Sequence, residues 1–158
     1  MRKMVLFCLA FVAVAFFSGC SGARIANSTA MPQESDKRFL SVKTQCSDGN
    51  LNQKLQASIN YQLEKQKISL GDDLRLNCEF LDYNEGNRAL RYLIGLGAGR
   101  ATSKASVKLY DKNDMQVGGF EVDAHMTMGV FGGDANSMVD DAAIKIVEYL
   151  RKNYILEN

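Results

Sequence analysis

The chain has 158 residues, of which 19 are Lys or Arg and 18 are Asp or Glu, so its formal net charge at pH 7 is +1. This length suits one domain with a single hydrophobic core. The balanced charge lacks the strongly basic surface that binds nucleic acid, so we expect no nucleic-acid partner.

The N-terminal region carries the features of an export signal. Two basic residues open the chain, an uncharged apolar run covers 5–17, and two small residues precede Cys20. This order resembles a bacterial lipoprotein signal, although Phe17 stands where Leu is usual. The resemblance implies that residues 1–19 are a removed signal peptide and that Cys20 carries palmitate-type lipid, so its thiol is an anchor and not a nucleophile.

The apolar run also fits an ordinary cleaved secretory signal, and this alternative stays open. A membrane-spanning helix would need about 20 apolar residues, and the small, polar residues from Ser18 onward interrupt the run too early. Ser21 follows the cysteine, whereas Asp there marks retention in the inner membrane. By resemblance to lipoproteins, this implies outer-membrane anchoring of a periplasm-facing chain.

The next segment lacks any periodic pattern. Residues 20–37 are poor in apolar side chains and contain the chain's one proline, Pro32. This composition predicts a lipidated flexible tether. The globular domain is predicted to cover residues 38–158.

The domain is expected to open with a strand, a helix and a second strand. Apolar and polar residues alternate over 40–46 and over 74–81, which is the pattern of half-buried strands. Between them, leucine or isoleucine recurs every fourth position over 51–63, as in an amphipathic helix that Asn50 can cap and Gly71 can end. Strand, helix and strand in this order favour a parallel pair.

Cysteine usage agrees with an exported protein. Cys8 would leave with the signal and Cys20 would be acylated, so Cys46 and Cys78 remain as an even pair in an oxidising compartment. Parallel pairing of the two strands would bring both thiols to the same end. We predict a disulfide, and two buried reduced thiols are the alternative.

A hairpin and a second helix complete the pattern. Alternation over 101–110 and 120–128 flanks turn residues at 111–114, and Gly118-Gly119 is predicted to form a bulge. An apolar stripe over 138–150 predicts the C-terminal helix. The expected fold is α+β, a two-layer sandwich in which a mixed four-stranded sheet carries two helices on one face, in the order β-α-β-β-β-α.

A segment rich in glycine and arginine lies between the second strand and the hairpin. Residues 87–100 follow the pattern N-R-x-x-R-Y-x-x-G-x-G-A-G-R. It is not a dinucleotide-binding loop, because Arg100 stands where the third glycine belongs and a strand follows. The segment resembles a bacterial lipoprotein family built on a domain of unknown function, number four-four-one-zero, over about residues 38–152. The resemblance implies a small envelope lipoprotein, with a fold like the α/β modules of envelope assembly and secretion lipoproteins, and no known activity.

The same segment supplies the candidate binding residues. Glycine at alternate positions leaves one side of an extended chain bare, and arginine offers hydrogen-bond donors to phosphate or carboxylate. The candidate partner-binding or anion-binding residues are Arg88, Arg91, Arg100, Gly95, Gly97 and Gly99. A loop packed over the end of the sheet, with its arginines paired to local acids, is the alternative.

Residue patterns for catalysis or metal binding are weak. His125 is the one histidine, and the turn at Asp111 fails as a calcium loop because Met115 and Val122 occupy ligand positions. No serine lies in a G-x-S-x-G pattern. The apolar pair in 129–133 suits a core cap or a mobile apolar tip. We expect no enzymatic activity, no metal and no cofactor.

These observations predict a lipid-anchored cell-envelope protein of structural or accessory binding type, attached to the membrane through Cys20 and with another envelope protein as its candidate partner. The alternative is a periplasmic ligand-binding module for lipid, glycan or a small anion.

Overall fold

A computed structural model of the protein describes residues 21–29, 39–94, 98–126 and 137–156. Its strands are β1 (Ser21–Ser28), β2 (Ser41–Cys46), β3 (Ser69–Leu70), β4 (Leu74–Asn84), β5 (Ala101–Asp111) and β6 (Gln116–Met126), and its helices are α1 (Asn50–Lys65), α2 (Arg88–Leu93) and α3 (Ser137–Asn153). The strands of these described ranges form one mixed sheet in the order β1-β6-β5-β4-β2-β3.

Two helices cover one face of this sheet. Helix α1 packs over β2, β3 and β4, α3 packs over β1, β5 and β6, and the two helices pack against each other. The predicted α+β architecture is therefore confirmed, but the prediction of four strands is wrong because the sheet has six. The additional strands are β1 and the two-residue β3, which is too short to show alternation in the sequence.

The first strand corrects the prediction of a flexible tether over residues 20–37. β1 runs antiparallel to β6, with Ser21 opposite Met126. Of its apolar side chains, Ala23 and Ile25 pack against the core. So few apolar residues give little periodic signal in the sequence. The strand is formed by its pairing with β6, which its own residue pattern does not predict. Cys20 and residues 30–37 of the predicted tether lie outside the described residues.

The predicted parallel pair is confirmed. β2 and β4 pair in parallel from Val42 and Leu74 through to Cys46 and Cys78. A disulfide joins the two cysteines, whose Cα atoms lie 4.3 Å apart. Because the bond spans 32 residues of sequence, the chain-entropy model assigns it about 3 to 4 kcal/mol of stabilisation.

Two amides hold α1 to the strands that flank it. Asn52 accepts a hydrogen bond from the Phe80 N–H at 2.9 Å, and Gln56 accepts one from the Cys46 N–H at 2.9 Å. The predicted side-chain cap by Asn50 is wrong, because the helix begins at Asn50 itself and the preceding residue is a glycine without a side-chain cap. The side chains of Asn52 and Gln56, further along the helix, attach its N-terminal half to the strands instead.

The core fills the space between the sheet and the two long helices. The following side chains are at most 1% exposed: Val42, Leu55, Ile59, Leu63, Leu74, Leu76, Val107, Leu109, Val122, Met138, Ile146 and Leu150. They include the helix stripes and the alternating strand residues that the sequence predicts. Leu40 is an exception, since it is half exposed and Phe39 is buried in its place. The reason is that β2 begins only at Ser41.

The predicted hairpin joins β5 to β6. The Asp111 carboxylate accepts hydrogen bonds from the backbone N–H groups of Asn113 and Met115 at 2.9 and 3.0 Å. This is the local side-chain-to-backbone bonding that favours Asp in turns. Because the turn joins the last residue of β5 to the first residue of β6, it lies at the opposite end of the sheet from Ala101, where β5 begins.

A bulge follows the turn, one residue earlier than predicted. Leu109 pairs with Gly118 and Tyr110 pairs with Gln116, so Val117 has no partner residue on β5. Gly118 is required here for a steric reason, since a Cβ at this position would collide with the hydroxyl of the buried Tyr154. The glycine thus makes room for the aromatic ring that follows α3.

We predict that Gly118→Ala lowers the free energy of unfolding by about 1 to 3 kcal/mol, because the added methyl overpacks this contact. Urea denaturation of the purified protein measures the loss. The same substitution in a Tyr154→Phe background should cost less, since the nearest atom is gone. Gly22→Ala is the control, because its Cβ would approach only His125, at 4.0 Å. An equal loss in both backgrounds would contradict the explanation.

Candidate functional site

The glycine- and arginine-rich segment forms a connector between β4 and β5, defined here as residues 85–100. Helix α2 occupies its first half, and the Asn87 side chain caps this helix by accepting a hydrogen bond from the Leu90 N–H at 3.0 Å. The alternating glycines predict an extended segment, and that prediction is wrong over residues 88–93, which are helical. Six residues are too few for a helical periodicity to stand out.

The connector is closed at its base. The Asn87 N–H donates to the Gly99 carbonyl at 3.0 Å. Gly86 and Gly99 have φ angles of 64° and 69°, a region that favours glycine. A Cβ on Gly86 would collide with the backbone oxygens of Gly99 and Arg100. The two ends of the connector are therefore in backbone contact.

Among the described side chains of the connector, three apolar ones face water. Leu90 is 40% exposed, Leu93 is 75% exposed and Ile94 is 60% exposed. Arg100, at the base, is also exposed. Because three neighbouring apolar side chains are left uncovered, the loop is not simply packed over the sheet at these positions. The candidate binding residues predicted from the sequence are the arginines and glycines of this segment, and these leucines and the isoleucine are not among them.

The other predicted site residues are distributed as follows. Arg88 and Arg91 belong to α2, and Gly99 closes the base of the connector. Gly95, Gly97 and Cys20 lie outside the described residues, as does the apolar pair of residues 129–133. The structure therefore places the described members of the set in the connector between β4 and β5.

The connector leaves the sheet at the end where β1 begins. Ser21 of β1 pairs with Met126 of β6, and Met126 pairs with Ala101 of β5. Neighbouring strands lie about 4.8 Å apart, so β1 starts roughly 10 Å from the base of the connector. We call this the connector end of the sheet, and the end at the β5–β6 turn the hairpin end. At about 3.3 Å per residue, the two ends are roughly 30 Å apart.

The face of the sheet opposite the helices is polar. Across β1, β6 and β5, Asp123 pairs with Arg24 at 3.4 Å and with Lys104 at 3.6 Å. Glu121 pairs with Lys104 at 3.2 Å and accepts a hydrogen bond from Asn27 at 2.6 Å. The Glu121 hydrogen bond, together with the charges of Asp123 and Glu121, raises the pKa of Lys104. Such exposed pairs contribute little stability each, but their complementary order favours this register of β1.

A small polar pocket lies on the same uncovered face. Its volume is about 240 Å³, and it is lined by Ser47, Asn77, Cys78, Glu79, Ser106, Lys108 and Tyr110. The Asn77 side-chain oxygen is buried without a hydrogen-bond partner among the described residues. Ligand sites usually measure about 300 to 1,000 Å³, so this pocket suits only a small polar molecule.

The described residues show neither a metal-binding group nor a membrane-spanning helix. Within residues 21–29, 39–94, 98–126 and 137–156, no three His, Cys, Asp or Glu side chains are grouped as metal ligands would be. In the same ranges, the helices are too short or too polar to cross a bilayer. His125 lies on the polar face of β6, opposite Gly22 of β1 and Thr102 of β5.

Comparison with known proteins assigns the family. The domain of unknown function DUF4410 matches residues 20–130. The chain belongs to this family. The match begins at Cys20 and therefore includes β1, which the resemblance seen in the sequence had left out. A search of curated proteins gives no match.

Solved structures with similar folds come from several bacteria. The PelC dodecamer from Paraburkholderia phytofirmans is 12% identical, with a TM-score of 0.51 over 83% of this chain and 97% of that chain. A protein described as a lipoprotein from Caulobacter crescentus is 18% identical, with a TM-score of 0.46 over 70% and 88%. A minor lipoprotein from Acinetobacter baumannii is 13% identical, with a TM-score of 0.42 over 73% and 94%. At 12% identity, the similarity to the PelC structure shows a shared fold and nothing more.

We predict that Gly86→Ala opens the base of the connector, because the new Cβ cannot coexist with the Gly99 and Arg100 backbone. Trypsin cleavage after Arg88, Arg91 or Arg100 should then be faster, by about tenfold, while the rest of the domain stays resistant. Timed digestion followed by mass spectrometry measures this. Gly22→Ala should leave the cleavage rate unchanged, and an unchanged rate in Gly86→Ala would contradict the closed base.

Proposed function

We propose that this DUF4410 chain is a lipid-anchored cell-envelope protein that acts by binding, as a structural or accessory component, and that it carries out no catalysis. Cys20 is the lipidated residue, and the anchored domain faces the periplasm from the outer membrane. The observation that carries the proposal is the export-type leader over residues 1–19, which directly precedes Cys20, the residue at which the family match begins and after which β1 starts.

The arrangement of cysteines supports this proposal. Cys46 and Cys78 form a disulfide, which is typical of proteins in an oxidising compartment such as the periplasm. Cys8 lies inside the proposed signal peptide. Cys20 is therefore the cysteine left for acylation in the processed chain.

The exposed surface supports binding rather than chemistry. The connector presents uncovered Leu93 and Ile94 on a loop whose base is held by backbone contacts. Contiguous exposed apolar side chains mark protein or membrane contact sites. We expect this loop to contact the membrane or another protein of the cell envelope.

A second candidate function rests on the polar pocket of the uncovered face. Its Lys108, Ser106 and Tyr110 side chains offer hydrogen-bond donors, and its volume of about 240 Å³ admits a small anion or a sugar unit. This would make the chain a periplasmic ligand-binding module. The Arg88, Arg91 and Arg100 side chains are the other candidate contacts for anions or lipid.

We predict that Cys20→Ala moves the protein from the membrane fraction to the soluble fraction of cells and abolishes incorporation of labelled palmitate. The reason is that the thiol is the attachment point for lipid. Fractionation with immunoblotting and palmitate labelling measure both effects. Cys8→Ala is the matched control and should change neither. Membrane retention of an unlabelled wild-type protein would refute lipid anchoring.

A second prediction separates accessory binding from ligand binding. Arg88, Arg91 and Arg100 replaced together by Ala should remove partners crosslinked in cells if the connector contacts a protein, and should remove anion or lipid binding in solution if it contacts a ligand. The matched control replaces exposed Lys54, Lys112 and Lys152 by Ala, which removes the same charge elsewhere. If the arginine variant retains both properties, neither assignment of the arginines holds.

A further inference from the structure

The position of the proposed lipid anchor relative to the sheet has a geometric consequence. Ser21 is the first residue of β1 and pairs with Met126. Consecutive Cα atoms are 3.8 Å apart, so acyl chains on Cys20 would begin one residue from the folded sheet. A tether of 18 residues would have left the domain free to turn above the bilayer. A strand in its place holds the connector end of the sheet close to the headgroups.

The connector emerges at this same end of the sheet. Its base lies at Ala101, two strands from Ser21. Leu90, Leu93 and Ile94 are the exposed apolar side chains among its described residues. The lipid attachment point and the three uncovered apolar side chains are thus on one end of the molecule, although 69 or more residues separate them in sequence.

The charge of the connector suits a bilayer surface. Residues 85–100 contain three arginines and one acidic residue, Glu85, so the connector carries a formal charge of +2 in a chain with a net charge of +1. Arg100 is exposed. Basic residues beside apolar ones are the combination that binds anionic lipid headgroups while the apolar side chains enter the interface. The local composition therefore differs from the neutral average of the chain in the direction that a membrane requires.

From these observations we propose that the connector end of the sheet is a membrane-docking surface, with Leu93 and Ile94 inserted in the interfacial region of the bilayer that holds the Cys20 acyl chains. The proposal rests on the lipid anchoring proposed above. Two attachment points, the acyl chains and the connector, fix the orientation of the domain. The strands then stand away from the bilayer, and the hairpin end projects roughly 30 Å into the periplasm.

The chain offers a matched pair of positions for a test. Ile94 at the connector end is 60% exposed, and Met115 at the hairpin end is 61% exposed. A cysteine introduced at either position is the free thiol of the processed protein, because Cys46 and Cys78 are bonded and Cys20 is acylated. Ile94→Cys and Met115→Cys are each labelled with a nitrobenzoxadiazole fluorophore.

The full-length protein is exported in cells, purified with its lipid, and reconstituted in vesicles of phosphatidylethanolamine and phosphatidylglycerol. Brominated lipids should quench the label at position 94 at least about threefold more than the label at position 115, because only the first enters the interface. Equal quenching at both positions would overturn the docking surface. It would point instead to a protein that covers Leu93 and Ile94.

A second measurement tests the orientation. Energy transfer from the label at position 115 to a headgroup acceptor should be weak in the otherwise unchanged chain and should rise in Leu93→Asp, Ile94→Asp protein, which loses the second attachment. Lys112→Asp is the control for added negative charge and should not raise the transfer. Unchanged transfer in the double variant would overturn the proposal.

Mass spectrometry of the N-terminal peptide separates the two proposals. Acylated Cys20 without quenching at position 94 refutes the docking surface alone. An unmodified Cys20 refutes the lipid anchor.

Discussion

The antiparallel pairing of β1 with β6 is the interaction on which the functional geometry depends. It places Ser21 in the same row as Met126 and Ala101, and hence beside the base of the connector. The charged and polar pairs across β1, β6 and β5 favour this register. Without this strand, a lipid on Cys20 would impose no orientation on the domain.

A second constraint acts at the other side of the sheet. The disulfide joins β2 to β4 at adjacent positions, and the amides of Asn52 and Gln56 tie α1 to the same two strands. The disulfide and these hydrogen bonds therefore stabilise the same unit, which consists of β2, α1 and β4. This leaves the opposite edge, where β1 and α3 lie, to be held by strand pairing and core contacts.

The connector combines a rigid base with an exposed tip. The Asn87 to Gly99 hydrogen bond and the close approach of Gly86 to the Arg100 backbone hold its two ends together. Between them, the side chains of Leu90, Leu93 and Ile94 are exposed. A loop that is anchored in this way can present apolar side chains to a surface without losing the order of the sheet behind it, which is a common arrangement for binding loops.

The periodicity of apolar side chains predicts β2, β4, β5, β6 and the stripes of α1 and α3. The parallel pairing of β2 with β4 favours a disulfide between Cys46 and Cys78 over two reduced thiols. Local periodicity carries that information because these elements bury one face. Three features are visible in the folded protein alone: Ser21–Ser28 joins the sheet, Ser69–Leu70 adds an edge strand, and Leu93 and Ile94 are exposed in the segment that carries the arginines. Hydrogen bonds to neighbouring strands and the closing of the connector base create these features, and contacts between residues distant in sequence leave no period within the segments themselves.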